Sequence, residues 1–204
     1  MNESDKSKTI SYFTSLVNTH QDSPKSLNWA STYSQEKRFK VLSEINIKDG
    51  STLLDVGCGL GDLHKWLVKN GKKVKYTGVD VTPAMIEKAR ENIGDADFMA
   101  ADISDPDIEL GQYDYVFASG IFYLLESDPE ESMKKIIAKL FDLSLKGIAF
   151  NSLSSWSKVK QEDEFYADPL KTLEFCRTLS PFVTMRHDYH PSDFTIYVRQ
   201  GQNN

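Results

Sequence analysis

The sequence predicts an α/β fold: a doubly wound sheet of seven strands, mostly parallel, with one antiparallel strand from a C-terminal hairpin. Two observations lead to this prediction. From about residue 50 onward, short aliphatic runs alternate with amphipathic stretches, which is the pattern of parallel strands connected by helices. Near the C-terminus, "FVTMRHDYH" and "FTIYVRQ" are strand-like runs joined by Pro-Ser-Asp, which predicts an antiparallel hairpin. In such a sheet the ligand is expected at the carboxyl ends of the strands.

The composition limits the size and the partners of the protein. A chain of 204 residues can form one domain with a sizeable core, and two full domains would be cramped. The net charge of −6 argues against a phosphate backbone as the main partner, so nucleic acid is not expected. The only cysteines, Cys58 and Cys176, form no CxxC motif, so neither a disulfide scaffold nor a metal site is expected. The polar N-terminus and the lack of a run of about 18 apolar residues predict a cytoplasmic protein with no membrane partner.

Two helices are expected before the alternating pattern begins. The first is indicated by four apolar residues that share one helical face: Ile10, Phe13, Leu16 and Val17. The second is expected between Ser31 and Ile45, and "KDG" then forms a turn. We therefore divide this single-domain chain into an N-terminal helical segment, residues 1–48, and a main α/β domain, residues 49–204.

Strands and helices then alternate along the main domain. The predicted strands are "STLLDVG", "KVKYTGVD", "ADFMAAD", "YDYVFASG" and "KGIAFNSLS". The predicted helices are "GDLHKWLVKN", "TPAMIEKARENIG", "PEESMKKIIAKLFDL" and "PLKTLEFCRTL". Gly71 is expected to end the first of these helices, and Thr82 and Pro83 are expected to begin the second.

A glycine-rich loop, "LLDVGCGLGDL", follows the first strand. Gly57, Gly59 and Gly61 permit positive φ angles and a close approach of the backbone to a ligand, although a tight turn alone would also explain them. Their GxGxG order differs from the GxGxxG fingerprint of dinucleotide sites. Asp62 at the mouth of the loop would repel a pyrophosphate, whereas a positively charged ligand would suit it.

Two further carboxylates end the second and third strands. Asp80 lies 19 residues after Gly61, where a carboxylate can accept both hydroxyls of an adenosine ribose; the alternative is a solvent-facing strand end. Asp102 can accept from the exocyclic amine of an adenine, with Ile103 as a flat apolar contact. The alternative for Asp102 is a cap or an Asx turn.

The segments "LLDVGCGLGDL", "YTGVDVTPAMIEKAR", "FMAADISD" and "YDYVFASGIFYLL" resemble, in order and spacing, the four motifs of class I S-adenosylmethionine-dependent methyltransferases. The resemblance covers roughly residues 50–200 and includes the hairpin that ends the family's Rossmann-like, seven-stranded sheet. The segment "SPKSLNWASTYSQEKRFKVL" is similar to the helix that covers the cofactor in small bacterial members of this methyltransferase-domain family. The implied cofactor is S-adenosylmethionine, and the implied product is S-adenosylhomocysteine.

The resemblance also implies roles for individual residues. The loop with its missing side chains would make room for the methionine moiety, Asp80 would bind the ribose, and Arg38 would bind the cofactor carboxylate unless it is a solvated helix residue. The implied cofactor-binding residues are Arg38, Asp55, Gly57, Cys58, Gly59, Gly61, Asp80, Val81, Met85, Asp102, Ile103, Ser119 and Gly120.

The reaction implied is an in-line displacement at the methyl carbon of a sulfonium. Alignment and exclusion of water are the main tasks, and a base is needed only if the nucleophile is protonated. The catalytic residue therefore stays unassigned, with Tyr123 and His187 as candidates, although a His-x-x-His pair on a strand would place its rings on opposite faces. The expected substrate-facing residues are Phe122, Tyr123, Trp156 and Tyr166. The loop that carries Trp156 and Tyr166 is either a substrate lid or an ordinary surface loop with anchoring aromatic residues.

The acceptor class is predicted by what the sequence lacks. No basic stripe or second domain is evident, and "ASGIFY" stands where amino-group methyltransferases acting on DNA, glutamine and adenine carry Asn/Asp-Pro-Pro-Tyr. A small-molecule acceptor is therefore expected, with RNA or protein as the alternative. Two readings from other classes stay open: a nicotinamide-dependent oxidoreductase and a non-catalytic binder of the cofactor.

Overall fold

The structure is a computed structural model that describes residues 3–20 and 31–201. It contains the six helices and seven strands that the sequence predicts, with small shifts at their ends. The part of the proposed cofactor-covering segment before Ser31 lies outside the described residues. The helices are α1 (Glu3–His20), α2 (Thr32–Ser43), α3 (Asp62–Lys69), α4 (Pro83–Asn92), α5 (Pro129–Asp142) and α6 (Pro169–Leu179). The strands are β1 (Thr52–Val56), β2 (Lys75–Asp80), β3 (Asp97–Ala100), β4 (Tyr113–Ala118), β5 (Ser144–Leu153), β6 (Val183–Arg186) and β7 (Asp193–Arg199).

The seven strands form one sheet in the order β3-β2-β1-β4-β5-β7-β6. Strands β1 to β5 pair in parallel, and β7 lies antiparallel between β5 and β6. This confirms the predicted fold class. The chain leaves β1 toward β2 and β3 and then returns to β4, so the strand order reverses between β1 and β4. Ligands bind at such switch points in open α/β sheets.

Helices cover both faces of the sheet. On one face α5 packs through Ile137 and Leu140 against buried strand residues such as Val116 and Phe150. On the other face, helices α2, α3 and α4 contribute a second buried cluster that includes Phe39, Leu42, Leu63, Leu67 and Ile86. Helix α1 lies apart from both and packs through Val17 and Phe13 against Leu60 and Met85. In the part of the chain that the structure describes, every helix is too short or too polar to cross a membrane.

The hairpin differs from its prediction in the length of its link. Strand β6 ends at Arg186 and β7 begins at Asp193, so the connection covers residues 187–192 and not only Pro-Ser-Asp. Side-chain bonds explain the early end of β6. Arg186 donates to Asp188 over 2.7 Å and pairs with Glu44, while Nε2 of His187 lies 2.8 Å from the hydroxyl of Ser154. These contacts take the chain out of the strand ladder.

Candidate active site

A large cavity opens at the carboxyl ends of β1, β2, β3 and β4. Its volume is about 1130 Å³, including the space at its mouth. Thr9 and Phe13 of α1 and Gln35 and Phe39 of α2 also line it, so the N-terminal helices form part of its wall. The sequence-predicted cofactor residues that line it are Asp55, Gly57, Cys58, Gly59, Asp80, Val81, Met85, Asp102, Ile103, Ser119 and Gly120.

The glycine loop takes the strained conformation that glycine permits. Gly57, Gly59 and Gly61 have φ angles of 72°, 53° and 75°. A Cβ atom at Gly57 would lie 2.2 Å from Cγ2 of Ile121, and one at Gly61 would lie 2.5 Å from Cδ1 of Ile93. The room left by these two missing side chains is therefore filled by the protein itself. Our explanation that all three glycines make room for the methionine moiety needs correction at Gly57 and Gly61.

Asp80 connects the glycine loop to the start of α4. Its carboxylate accepts from the backbone N–H of Gly59 over 3.0 Å and from that of Thr82 over 2.8 Å. Burial raises the pKa of Asp80 above its ordinary value, and the hydrogen bonds from Gly59 and Thr82 oppose this effect. A carboxylate offers about four lone-pair sites, so these bonds leave an acceptor site open for a ribose hydroxyl. The position fits the role expected from the sequence.

Asp55 is the most deeply buried acid of the cavity, with 2% of its surface exposed. The hydroxyl of Tyr76 donates to Oδ2 over 2.5 Å. The pKa of Asp55 is raised to about 7, because burial and, to a lesser extent, the nearby charges of Asp80 and Asp62 outweigh the opposing hydrogen bond from Tyr76. The carboxyl group is therefore close to half-ionised at neutral pH.

Asp102 forms the Asx turn that the sequence offered as one alternative, and it also lies at the cavity. Oδ1 accepts from the backbone N–H and the hydroxyl of Ser104 over 2.9 and 2.6 Å, which forms an Asx turn, and the side chain also lines the cavity. Oδ2 lies 3.5 Å from Nζ of Lys6 on α1. Burial acts to raise the pKa of Asp102, but the bonds from Ser104 and the charge of Lys6 outweigh it, so the pKa is lowered.

The electrostatic character of the cavity points to a cationic ligand. Four carboxylates line it, and no Lys, Arg or His is found among the described residues of its wall; the acids are Asp55, Asp62, Asp80 and Asp102. Asp62 also accepts a hydrogen bond from Gln35 over 3.1 Å. A ligand that carries an ammonium and a sulfonium lowers the free-energy cost of burying these ionised carboxylates, whereas a pyrophosphate would raise that cost. The residues present therefore fit S-adenosylmethionine.

Helix α1 is fastened over the cavity by contacts that sequence reasoning missed. Asp5, 1% exposed, accepts from the backbone N–H and the hydroxyl of Ser127 over 3.3 and 3.2 Å. Lys8 pairs with Glu126, and Lys6 pairs with Asp102. The amphipathic pattern of α1 predicted the helix, but no local signal in the sequence connects it to residues more than 90 positions away.

The residues expected to face the acceptor are spread between the cavity and its surroundings. Tyr123 lines the cavity, and so does Ile121, two positions before it. Phe122 between them faces the core instead, with 1% of its surface exposed and its ring edge-on to Phe150 at a centroid distance of 5.7 Å. The structure thus brings only Tyr123 of this pair to the site.

The loop after β5 contributes no residue to the cavity wall in the part of the chain that the structure describes. Trp156 is half-exposed and stacks on His187 with a centroid distance of 5.1 Å. His187 bonds to Ser154, and the hydroxyl of Tyr166 donates to Glu164 over 2.6 Å. These contacts fasten the loop to the hairpin link. They do not bring Trp156, Tyr166 or His187 into the cavity.

Arg38 also lies elsewhere than at the cofactor carboxylate. Its guanidinium pairs with Asp193 at the start of β7, and Nδ1 of His190 lies 3.0 Å from the same carboxylate. Burial raises the pKa of Asp193, against the opposing charges of Arg38 and His190. This arginine holds α2 to the edge of β7. Among the described residues, no group of three His, Cys, Asp or Glu side chains could hold a metal ion.

Comparison with known proteins identifies the family of the chain. Residues 53–142 match the family model described as a methyltransferase domain. A protein of Mycobacterium tuberculosis named as a methyltransferase is 38% identical over 167 residues, which cover 77% of this chain and 98% of that protein. A malonyl-[acyl-carrier protein] O-methyltransferase of Anoxybacillus flavithermus is 33% identical over 104 residues, which cover 50% of this chain but only 39% of the relative.

Solved structures show the same fold. Magnesium protoporphyrin IX methyltransferase from Synechocystis, crystallised with S-adenosylhomocysteine, superimposes with a TM-score of 0.68 at 14% identity, over 96% of this chain and 100% of that one. The solved structure shows the fold, and the extent of the match to the Mycobacterium relative shows the family. The chain belongs to the class I S-adenosylmethionine-dependent methyltransferases.

Proposed function

We propose that this methyltransferase uses S-adenosylmethionine and acts on a small molecule. The observation that carries the proposal is the lining of the cavity beyond the residues assigned to the cofactor. Apolar and aromatic side chains of the segment after β4 line it there, namely Ile121, Tyr123, Leu124 and Leu125, and such a lining with few polar groups is typical of a small-molecule site. The N-terminal helices narrow the approach to it. Two of its relatives are named for malonyl-[acyl-carrier protein] and magnesium protoporphyrin IX, which agrees with this class.

The residues of the cavity have a positioning role in methyl transfer. The cofactor, when bound, supplies a methyl group on a positively charged sulfur, so the leaving group needs no further activation. With the cofactor bound, Asp80 and Asp102 would hold the adenosine, and Asp55 would offer its carboxylate to the positively charged end of the ligand. Holding the methyl donor and the acceptor in line can supply effective molarities of roughly 10⁵–10⁸ M. Alignment is therefore the main contribution of the protein to the rate of methyl transfer. We assign Tyr123, the candidate that lines the cavity, to the acceptor side.

A labelled-methyl screen tests the proposal. The protein is incubated with trideuteromethyl S-adenosylmethionine and three separate fractions of a cell extract: metabolites, RNA and protein. We expect label in one or a few small molecules, and at least several-fold less label when the Asp80→Ala variant is used at a cofactor concentration below its Kd. Label confined to RNA or to protein would overturn the small-molecule assignment. Tight cofactor binding with no label in any fraction would identify a non-catalytic binder.

We also propose a cytoplasmic location. Cys58 and Cys176 are both free and buried, which is the usual state of thiols in a reducing compartment. Fractionation of cells that express a tagged protein tests this directly, and recovery from a membrane or extracellular fraction would contradict it.

A further inference from the structure

The side chain of Asn151 lies under the floor of the cavity, at a position that the sequence analysis did not single out. It is 2% exposed and stands near the carboxyl end of β5. Its Oδ1 accepts from the backbone N–H of Gly120 over 2.9 Å, and its Nδ2 donates to the hydroxyl oxygen of Ser119 over 3.0 Å. One amide thus holds two consecutive residues of the loop after β4, and both of those residues line the cavity.

The direction of these two bonds follows from simple chemistry. A backbone N–H can only donate, so the amide oxygen must face Gly120 and the amide nitrogen must face Ser119. The hydroxyl of Ser119 therefore accepts from Asn151. Because a hydroxyl has one hydrogen and two lone pairs, Ser119 keeps its hydrogen for a further partner.

The sheet order indicates which part of the cofactor lies near Ser119. Asp80 and Asp102 follow β2 and β3, on one side of β1, and they are the residues assigned to the adenosine. Ser119 follows β4, on the other side of β1. With the adenosine held at Asp80 and Asp102, the amino-acid end of the cofactor would reach this position, and that end carries a carboxylate that accepts hydrogen bonds.

We propose that Asn151 is a positioning residue for the amino-acid end of the cofactor. It holds Gly120 in its left-handed conformation, with a φ of 70°, and it leaves the Ser119 hydroxyl hydrogen free to donate to the cofactor carboxylate. Asn151 itself acts only through Ser119 and Gly120. The inference rests on the cofactor assignment and not on the identity of the acceptor, so it is tested by binding alone.

The test compares two ligands and two substitutions by calorimetry. In Asn151→Asp the carboxylate still accepts from Gly120 but must also accept from Ser119, which removes the free hydroxyl hydrogen. Ser119→Ala removes the hydroxyl itself. We expect each variant to bind S-adenosylhomocysteine about tenfold or more weakly, the effect of one hydrogen bond to a charged group. Both should bind methylthioadenosine, which lacks the amino-acid end, within twofold of the wild-type protein.

The double variant separates positioning from other effects. If Asn151 acts through the hydroxyl, adding Asn151→Asp to Ser119→Ala causes no further loss. A further loss, or equal weakening of both ligands, would overturn the proposal because it would show a direct charge effect or a merely structural role. Ser152→Ala, the next residue of β5 on the opposite face, is the matched control and should bind both ligands normally. If Asn151→Asp does not fold, Asn151→Ala replaces it. This variant releases both Ser119 and Gly120, so a loss of affinity for S-adenosylhomocysteine but not for methylthioadenosine is expected because the hydroxyl is no longer positioned.

Discussion

Binding of the cofactor should remove a proton from Asp55, and this can be measured. The carboxyl group has a pKa of about 7 because it is buried beside Asp80 and Asp62. A cationic ligand favours the ionised form. At pH 6 only about one-tenth of the free protein carries this charge, so the apparent Kd for S-adenosylmethionine should be about tenfold weaker at pH 6 than at pH 8. Binding at pH 6 should release close to one proton.

Calorimetry at pH 6 and pH 8, in two buffers with different ionisation enthalpies, gives both the apparent Kd and the number of protons released on binding. The control is Asp55→Asn, which keeps the oxygen that accepts from Tyr76 but cannot ionise. This variant should bind more weakly at pH 8, and the part of the pH dependence due to the protein should vanish. The reasoning is refuted if wild-type and variant proteins show the same change in affinity between pH 6 and pH 8.

The same group should make the free protein less stable as the pH rises. Between pH 3.8, the ordinary pKa, and about 7, the unfolded state holds this carboxyl ionised while the folded state keeps its proton. The free energy of unfolding therefore falls across this window and stays reduced above it. At about 1.4 kcal/mol per pKa unit, the loss reaches up to about 4 kcal/mol at pH 8. Urea unfolding should show Asp55→Asn to be more stable than the wild type at pH 8, with the difference closing toward pH 4.

Three further predictions concern other contacts of the site. Asp80→Ala should weaken the binding of S-adenosylhomocysteine at least tenfold, and the variant should bind the 2′-deoxyribose analogue as tightly as the ribose ligand. If the variant still prefers the ribose ligand, the ribose role of Asp80 is contradicted. Asp5→Ala should raise the off-rate of S-adenosylhomocysteine about tenfold in stopped-flow measurements, since it unfastens α1 from Ser127, and an unaltered off-rate would show that α1 does not close the site. Arg38→Leu should lower the free energy of unfolding by about 3–5 kcal/mol by leaving Asp193 buried without this partner, yet change the Kd of the cofactor less than threefold. A large loss of affinity with unchanged stability would restore the cofactor-carboxylate role that the sequence suggested for Arg38.

The fold was predictable because its signals are local. Each strand and helix has its own periodicity, and caps such as Pro83 stand next to the helices that they begin. The length of the hairpin link was not predictable in this way. No glycine or proline interrupts residues 187–190, so the sequence does not mark the end of β6. The side chains at this point bond to Glu44 and Ser154, which are distant positions in the sequence.

The adenosine side of the cavity was also more accessible to sequence reasoning than the rest. Asp80 and Asp102 stand at strand ends, where topology alone brings them to one edge of the sheet. Asn151 reaches the site because its strand pairs beside β4, which brings its amide to Gly120. Asp5 reaches the site through a contact with Ser127, which lies 122 positions away in the sequence. Arg38 shows the opposite error: its position on a helix beside the site agreed with a cofactor role, but a buried carboxylate on β7 engages it.

The acidic cavity connects the stability of this protein to its cofactor. Burial raises the pKa of both Asp55 and Asp80, so their charges are unfavourable in the free protein at neutral pH. Binding a ligand with an ammonium and a sulfonium relieves part of this cost, and anything that binds only the folded state stabilises it further by mass action. Affinity for the cofactor and low stability without it therefore have the same origin. Substitutions that remove these charges should make the fold more robust and the site weaker, which is the trade-off expected where function requires buried charge.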